Sequence, residues 1–257
     1  MNPSARTKNS EGIGNRYWRV ACAVAMMLCL GFADPAVEQL AEVDPLEVVV
    51  DADMRKLVAG STNHGTGFHI DNRGHAVTAA HVVAGCRNIM VSVENGVASR
   101  ARLLGFDAQR DLALISVHRS EVWFDVTAKP PVTEDLVVFA GAGGDRSDWR
   151  FLPARLGPRF QSGLFELGSF SPALAPGASG GPVLDGRGLV VGMSVGTIVA
   201  DGPLTLAVGG RDLLGFLAYM DIKPPPRRLS PPDRRDQRIS QEQLSLLRAA
   251  ALRIDCA

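Results

Sequence analysis

The chain has 257 residues, long enough for one large domain or two small ones with a real hydrophobic core. Apolar residues make up 46% and charged residues 21%, which excludes a disordered, collagen-like or polytopic membrane chain. Lys+Arg and Asp+Glu are each 27, yet residues 1–20 carry a net +3, residues 222–257 a net +4 and the body between them −7. An acidic body with basic ends offers no continuous basic stripe, so nucleic acid is not an expected partner.

Arg6, Lys8, Arg16 and Arg19 precede an apolar run at residues 20–32. That run is shorter than the roughly 18–20 residues a membrane-spanning helix needs. A basic start, a short apolar stretch and the small-residue exit Gly31-Phe32-Ala33 match a secretory signal peptide over residues 1–33, cut after Ala33. A retained single anchor is the alternative. Cys22 and Cys29 do not fit a lipid-attachment site, because Arg19 stands three before the first and Leu28 directly before the second. The expected product is an exported protein, periplasmic or extracellular, with no membrane span left after cleavage. Its remaining cysteines are Cys86 and Cys256. In an oxidising compartment these can pair, and two free thiols are the other possibility.

After a short segment at 34–45, residues 46 to about 220 form a series of short apolar runs broken by Gly, Asp, Asn and Pro. Among them are LEVVV (46–50), HAVTAA (75–80), NIMVSV (88–93), DLALISV (111–117), DLVVFAG (135–141) and GLVVGMSVG (188–196). Val-rich runs of this length between turn signals predict strands of an all-β sandwich or barrel. Pro130-Pro131 divides the region into halves at 46–129 and 130–221. Helical spacing occurs at 211–220, where Leu213, Leu214, Leu217 and Met220 share one face. Residues 222–239 are rich in Pro and Arg and read as a stiff linker. Residues 240–257 are expected to form a C-terminal helix that packs back on the body. Ser240 and Gln243 make its capping box, and Leu244, Leu247, Ala251 and Ile254 its apolar face. A partner-binding helix is the alternative.

Three motifs carry chemistry. TAAHVV (78–83) places His81 just after a strand, RDLALISV (110–117) opens an apolar strand with Asp111, and PGASGGPV (176–183) is a Gly-rich loop around Ser179. Each alone has a structural explanation: a strand-end histidine, a turn aspartate, a tight glycine turn. Together they follow one of the chain orders, His…Asp…Ser, in which a catalytic triad occurs on a β background. A serine hydroxyl is a weak nucleophile, so Ser179 needs a base beside it, and His81 titrates near neutrality. Asp111 would fix the imidazole tautomer and stabilise its charged form. The main-chain N–H groups of Gly177 and Ser179 are the natural donors to an oxyanion.

These motifs resemble the three signatures of the trypsin/chymotrypsin superfamily. GTGFHIDNRGHAVTAAHVV (65–83) is similar to the first hairpin and histidine loop of the bacterial HtrA branch, and GLVVGMSVG to the strand lining the substrate pocket. The resemblance covers roughly residues 46–220 and implies two six-stranded antiparallel β-barrels with the active site in the cleft between them. It also implies an exported serine endopeptidase, acting on proteins or peptides through an acyl-enzyme intermediate. Ala178 stands where trypsins carry the acid that pairs with a newly cut N-terminus, so that activation step is not expected. The stretch after residue 221 is too short for the PDZ domain usual in the HtrA branch.

The position that confers preference for Arg or Lys in trypsins is Ala173 here, followed by Leu174, and Ser194-Val195-Gly196 would form the opposite pocket wall. An apolar pocket of this kind predicts a small-to-medium aliphatic P1 residue, because a cation would be buried unpaired. No cofactor is expected. His64, His69 and His75 surround a hairpin without partners at metal-ligand spacing, and His118 reads as a surface residue at a strand end. Two other functions compete with proteolysis. One is a catalytically idle protease fold used as a binding module. The other is an esterase-like hydrolase, against which the chain order and the strand after Ser179 both speak.

Overall fold

The first hairpin of the molecule is built by one aspartate. Asp71 Oδ1 accepts the N–H groups of Arg73 (2.9 Å) and His75 (3.0 Å), which turns strand β1 (His64–His69) back into β2 (His75–Ala79). The computed structural model describes residues 64–94, 96–131, 135–140, 149–162, 165–199, 202–225 and 240–257. The expected signal peptide, the 34–45 segment, the LEVVV run and most of the expected Pro/Arg-rich linker lie outside them.

After β2 comes the four-residue helix α1 (Ala80–Val83), then β3 (Ile89–Ser92), β4 (Ser99–Asp107) and β5 (Leu112–Ser116). The valine-rich runs at 75–80, 88–93 and 111–117 are therefore strands, as their composition predicts. These five strands form a closed antiparallel barrel only with a sixth, β13 (Ala251–Cys256), which inserts between β1 and β3. Phe68 and Phe124 meet edge-on inside the resulting core, 5.4 Å apart.

β13 corrects the expected C-terminal helix. The helix is α3, and it covers only Gln241–Arg248, with Ser240 and Gln243 forming the capping box anticipated from sequence. Leu244 and Leu247 are buried on it as expected, whereas Ala251 and Ile254 are buried on the strand. Two considerations decide against helix there. Leu252, Ile254 and Cys256 alternate with Arg253 and Asp255, a period of two that puts the apolar side chains into the barrel and the charged ones outside. Strand pairing also satisfies backbone groups of β1 and β3 that an open barrel would leave unpaired.

The second half of the chain supplies β6 (Asp135–Ala140), β7 (Arg150–Leu156), β8 (Phe160–Ser162), β9 (Phe165–Ser171), β10 (Pro182–Leu184), β11 (Val190–Val199) and β12 (Pro203–Gly209). They run β12-β11-β10-β6-β7-β9, and pairing of β12 with β9 closes the six into a second antiparallel barrel. β8 folds against β9 outside this ring. The turn into β11 repeats the device of the first hairpin: Asp185 accepts the N–H groups of Arg187 (2.9 Å) and Leu189 (3.1 Å). The pattern Asp-x-Arg-Gly thus turns one hairpin in each barrel, at 71–74 and 185–188.

Helix α2 (Gly210–Tyr219) follows β12 and buries Leu213, Phe216 and Leu217. Those residues join a core that runs from the first barrel to the outer face of the second, while Leu136, Val138, Ala154, Phe170, Val183 and Ala207 fill the second barrel's interior. Cys86, just after α1, is disulfide-bonded to Cys256 with Cα atoms 5.3 Å apart. Among the described residues no helix is long and apolar enough to cross a membrane.

Candidate active site

His81 lies on α1, just past the strand β2; Thr78 and Ala79 at the end of that strand and Ala80 at the start of the helix are all buried. Asp111 opens β5 from a left-handed conformation (φ 55°), which an aspartate tolerates better than most residues. From there its carboxylate engages His81 twice. Oδ1 accepts the His81 backbone N–H at 2.8 Å, and Oδ2 is 2.6 Å from the ring Nδ1. A carboxylate only accepts, so this geometry puts the ring proton on Nδ1 and makes Nε2 the basic nitrogen. The Ala80 N–H reaches the Asp111 carbonyl as well, at 3.1 Å. Histidine and aspartate are therefore locked by main chain and side chain together.

Ser179 stands on a loop made of two consecutive turns that share Ala178. In the first, Ala178 N–H bonds to Ala175 O (3.2 Å), with Pro176 and Gly177 at the corners. In the second, Gly181 N–H bonds to Ala178 O (3.0 Å), with Ser179 and Gly180 at the corners. The third residue of each turn has positive φ, +93° at Gly177 and +87° at Gly180, as a type II turn demands. Gly180 has a second reason to lack a side chain. A Cβ there would overlap the Thr66 carbonyl oxygen and crowd Thr78 Oγ1 and Ala79 N. The loop is thereby seated on the strands that lead into His81.

Both barrels hold this loop. From the first, Thr66 N–H donates to Ser179 O (2.8 Å) and Thr66 Oγ1 to Gly177 O (2.7 Å). From the second, Ser194 Oγ donates to Ala178 O (2.7 Å), Ser194 N–H to Gly181 O (2.9 Å), and Ser194 O accepts from Gly180 N–H (2.7 Å). Of the loop's N–H groups at 177–181, those of Ala178, Gly180 and Gly181 are bonded to backbone carbonyls. Among the described residues, the N–H groups of Gly177 and Ser179 have no such acceptor.

The residues expected to line a specificity pocket have more varied fates. Leu174 packs against the core of the second barrel, and its N–H donates to Thr205 Oγ1 (2.8 Å). Val195 is the extra residue of a β-bulge between Ser194 and Gly196 and is itself buried. The Ser194 hydroxyl is committed to the serine loop. Ala173 stays half-buried, and Gly196 faces open space, with no atom within 4 Å of where a Cβ would stand. The side chains of Leu174, Ser194 and Val195 are thus all engaged within the fold. Thr66 and Thr205, which bond Gly177 O and Leu174 N–H, belong to none of the three motifs. For Thr66 the available signal was a polar residue between two glycines in GTGFHI.

The histidines of the first hairpin serve other ends. His75 Nδ1 is 2.7 Å from Asp71 Oδ2, a partner four residues away that ligand-spacing rules pass over. Burial works to raise the Asp71 pKa, but hydrogen bonds from His75 and Arg73 hold it below its ordinary value. His69 is fully buried, its ring nitrogens have no hydrogen-bond partner among the described residues, and the exposed His118 ring stands edge-on at 5.2 Å. Burial first, and then His118, push its pKa down to about 4 against the opposing pull of Asp71.

The sequence profile of the trypsin-like peptidase domain matches residues 65–193, about half of the chain. The chain belongs to the trypsin-like peptidase family. Among curated proteins, the uncharacterized protein y4bJ of Sinorhizobium fredii is 27% identical over 76% of this chain and 34% of its own length. The putative serine protease HhoA of Synechocystis is 30% identical over 51% of this chain and 36% of its own. The probable periplasmic serine endoprotease DegP-like of Chlamydia trachomatis is 26% identical over 54% of this chain and 29% of its own. The chain thus spans about a third of the length of these relatives. The structure of the HtrA-type protease AlgW with a decapeptide superposes with a TM-score of 0.54 at 20% identity, covering 61% of this chain and 51% of that one. The inactive form of the Rv3671c protease matches with a TM-score of 0.54 at 25% identity, over 62% of this chain and 87% of that one. Within the trypsin-like peptidases the chain is similar to the HtrA branch, and its two closed barrels are the fold that this kinship implies.

Proposed function

We propose that this trypsin-like peptidase is an exported serine endopeptidase using Ser179 as nucleophile, His81 as general base and then acid, and Asp111 as the group that orients and stabilises the imidazolium. His81 takes the Ser179 proton as the hydroxyl attacks the scissile carbonyl. Negative charge collects on the carbonyl oxygen, where the Gly177 and Ser179 N–H groups receive it. His81 then gives its proton to the leaving amine, and water reverses the sequence to release the acyl group. The observation that carries this is the double engagement of His81 by Asp111, at 2.8 and 2.6 Å, on the strand end against which the serine loop is seated.

The substrate is a protein or peptide, with an aliphatic P1 residue of small to medium size. Ala173 brings no carboxylate to the pocket, and Gly196 leaves its opposite side open. Export supplies the oxidising compartment in which the Cys86–Cys256 bond persists, and one relative's name describes a probable periplasmic endoprotease. Labelling of the purified protein with a fluorophosphonate at pH 7–8, followed by mass spectrometry, tests the whole assignment. Stoichiometric modification of Ser179 that disappears in Ser179→Ala and His81→Ala supports it. An unlabelled wild type turns the reading toward an idle protease fold that binds without cutting.

A further inference from the structure

Every polar group of Thr66 points into the serine loop or its support. Its N–H holds Ser179 O at 2.8 Å, its hydroxyl holds Gly177 O at 2.7 Å, and its carbonyl accepts the Thr78 hydroxyl at 2.7 Å. The residue is 1% exposed, so water does not compete for these bonds. Main-chain pairing would form whatever the side chain; the hydroxyl is the part that sequence can choose.

The hydroxyl's target lies between the two oxyanion donors. The Gly177 N–H belongs to the peptide plane of 176–177 and the Ser179 N–H to that of 178–179; the plane of 177–178 joins them. Planar trans peptides turn as rigid units, so fixing one plane restrains the torsions of both neighbours. Thr66 Oγ1 fixes the carbonyl end of this central plane, and the Ala178 N–H bond to Ala175 O fixes its other end. Ser194 Oγ, from the other barrel, fixes the next plane through Ala178 O. In that plane the Ser179 N–H must then point away from Ser194.

We infer that the Thr66 hydroxyl is a positioning group for the oxyanion hole, setting the direction of the Gly177 and Ser179 N–H groups through the peptide between them. It touches no reacting atom. This rests on Ser179 being the nucleophile proposed above, and it adds a residue from the first hairpin to the machinery. Losing alignment by a fraction of a bond length at such a site weakens transition-state stabilisation more than substrate binding.

The test compares phosphonylation of Ser179 in the wild type, T66V, T66A and T66S, with fluorophosphonate concentration varied to separate the maximal rate from half-saturation. Thermal melting is followed for each. Removing a donor outright costs about 10²–10³-fold in related chemistry, so misaiming two of them is expected to lower the maximal rate about 10- to 100-fold. Half-saturation stays within about twofold, and T66S returns to within about threefold of the wild type. A folded T66V or T66A labelled at the wild-type rate overturns the inference. So does a folded T66S as slow as T66V, which would assign the effect to the methyl group. Loss of cooperative melting in both T66V and T66A also overturns it, in favour of a purely structural role. A wild type that does not label at all refutes the nucleophile itself, an outcome visible before any Thr66 variant is made.

Discussion

Arg253 stands directly across from Thr66 in the antiparallel ladder between β13 and β1. A strand from the end of the sequence is thus hydrogen-bonded to the strand whose Thr66 grips the Ser179 loop. β13 is also flanked on its other side by β3, so it has no free edge. Barrel closure and loop placement are consequently coupled through a single strand.

That coupling predicts the effect of hollowing β13. Ile254 is fully buried, and Ile254→Ala removes three carbons from the barrel core. A loss of about 2–5 kcal/mol is expected, read as a lower midpoint in urea unfolding with an unchanged slope.

Asp111→Asn keeps a group of the same shape opposite His81 but offers an N–H where Oδ2 now accepts. The ring proton is then driven to the other nitrogen and the base is lost. The maximal phosphonylation rate at pH 7.5 should fall about 10³–10⁴-fold, while the melting temperature changes little. A decrease under tenfold would remove Asp111 from the proposed triad.

Gly180→Ala should fail for two reasons at once. The position has φ +87°, and the added carbon would overlap Thr66 O. At least about 2 kcal/mol of stability should go, and Ser179 labelling with it. Urea unfolding and labelling measured on one preparation check both.

His69 gives the fold an acid-side weakness. Its pKa in the folded protein is about 4, below the ordinary 6.5, so the folded state excludes a proton that the unfolded chain accepts. Stability from this residue is complete above pH 6.5 and is lost as pH falls towards 4, by about 3 kcal/mol in all. The contribution of Asp71, whose pKa is also depressed, is lost at still lower pH. Melting temperatures at pH 7.5 and 5 should differ in the wild type and converge in His69→Phe.

Replacing Cys86 by Ser should cost stability through the unfolded chain. The bond spans 170 residues, and the chain-entropy model assigns such a loop about 5 kcal/mol. Urea midpoints of wild type and variant under non-reducing conditions measure it, and they should coincide once a reductant is added.

Much of this was legible in the residues because local chemistry and global role coincide. TAAHVV and GASGGPV need small residues for tight turns and close approach, and those needs survive in sequence as short fixed strings. Counting cysteines leaves Cys86 and Cys256 either paired or free, and the structure joins them in a disulfide. The sequence favours a helix through the last strand because Leu244, Leu247, Ala251 and Ile254 satisfy helical spacing behind the cap at Ser240, while the alternation of Leu252, Ile254 and Cys256 with Arg253 and Asp255 is short. What decides the matter is a vacant slot between β1 and β3, a tertiary fact that no window of sequence contains. The roles of Thr66 and Ser194 were hidden for the same reason. Each hydroxyl acts on a loop more than a dozen residues away along the chain.

The order of strands around the first barrel also constrains when the protein can become itself. Five of its strands lie within residues 64–116, but the sixth begins at Ala251. A growing chain carries these five as an unfinished sheet throughout the synthesis of the second barrel, with two edges open to other polypeptides. The strand that seals those edges is also the one that steadies Thr66. The first barrel therefore closes, and Thr66 is set against the Ser179 loop, only after the strands of the second barrel and β13 have been made.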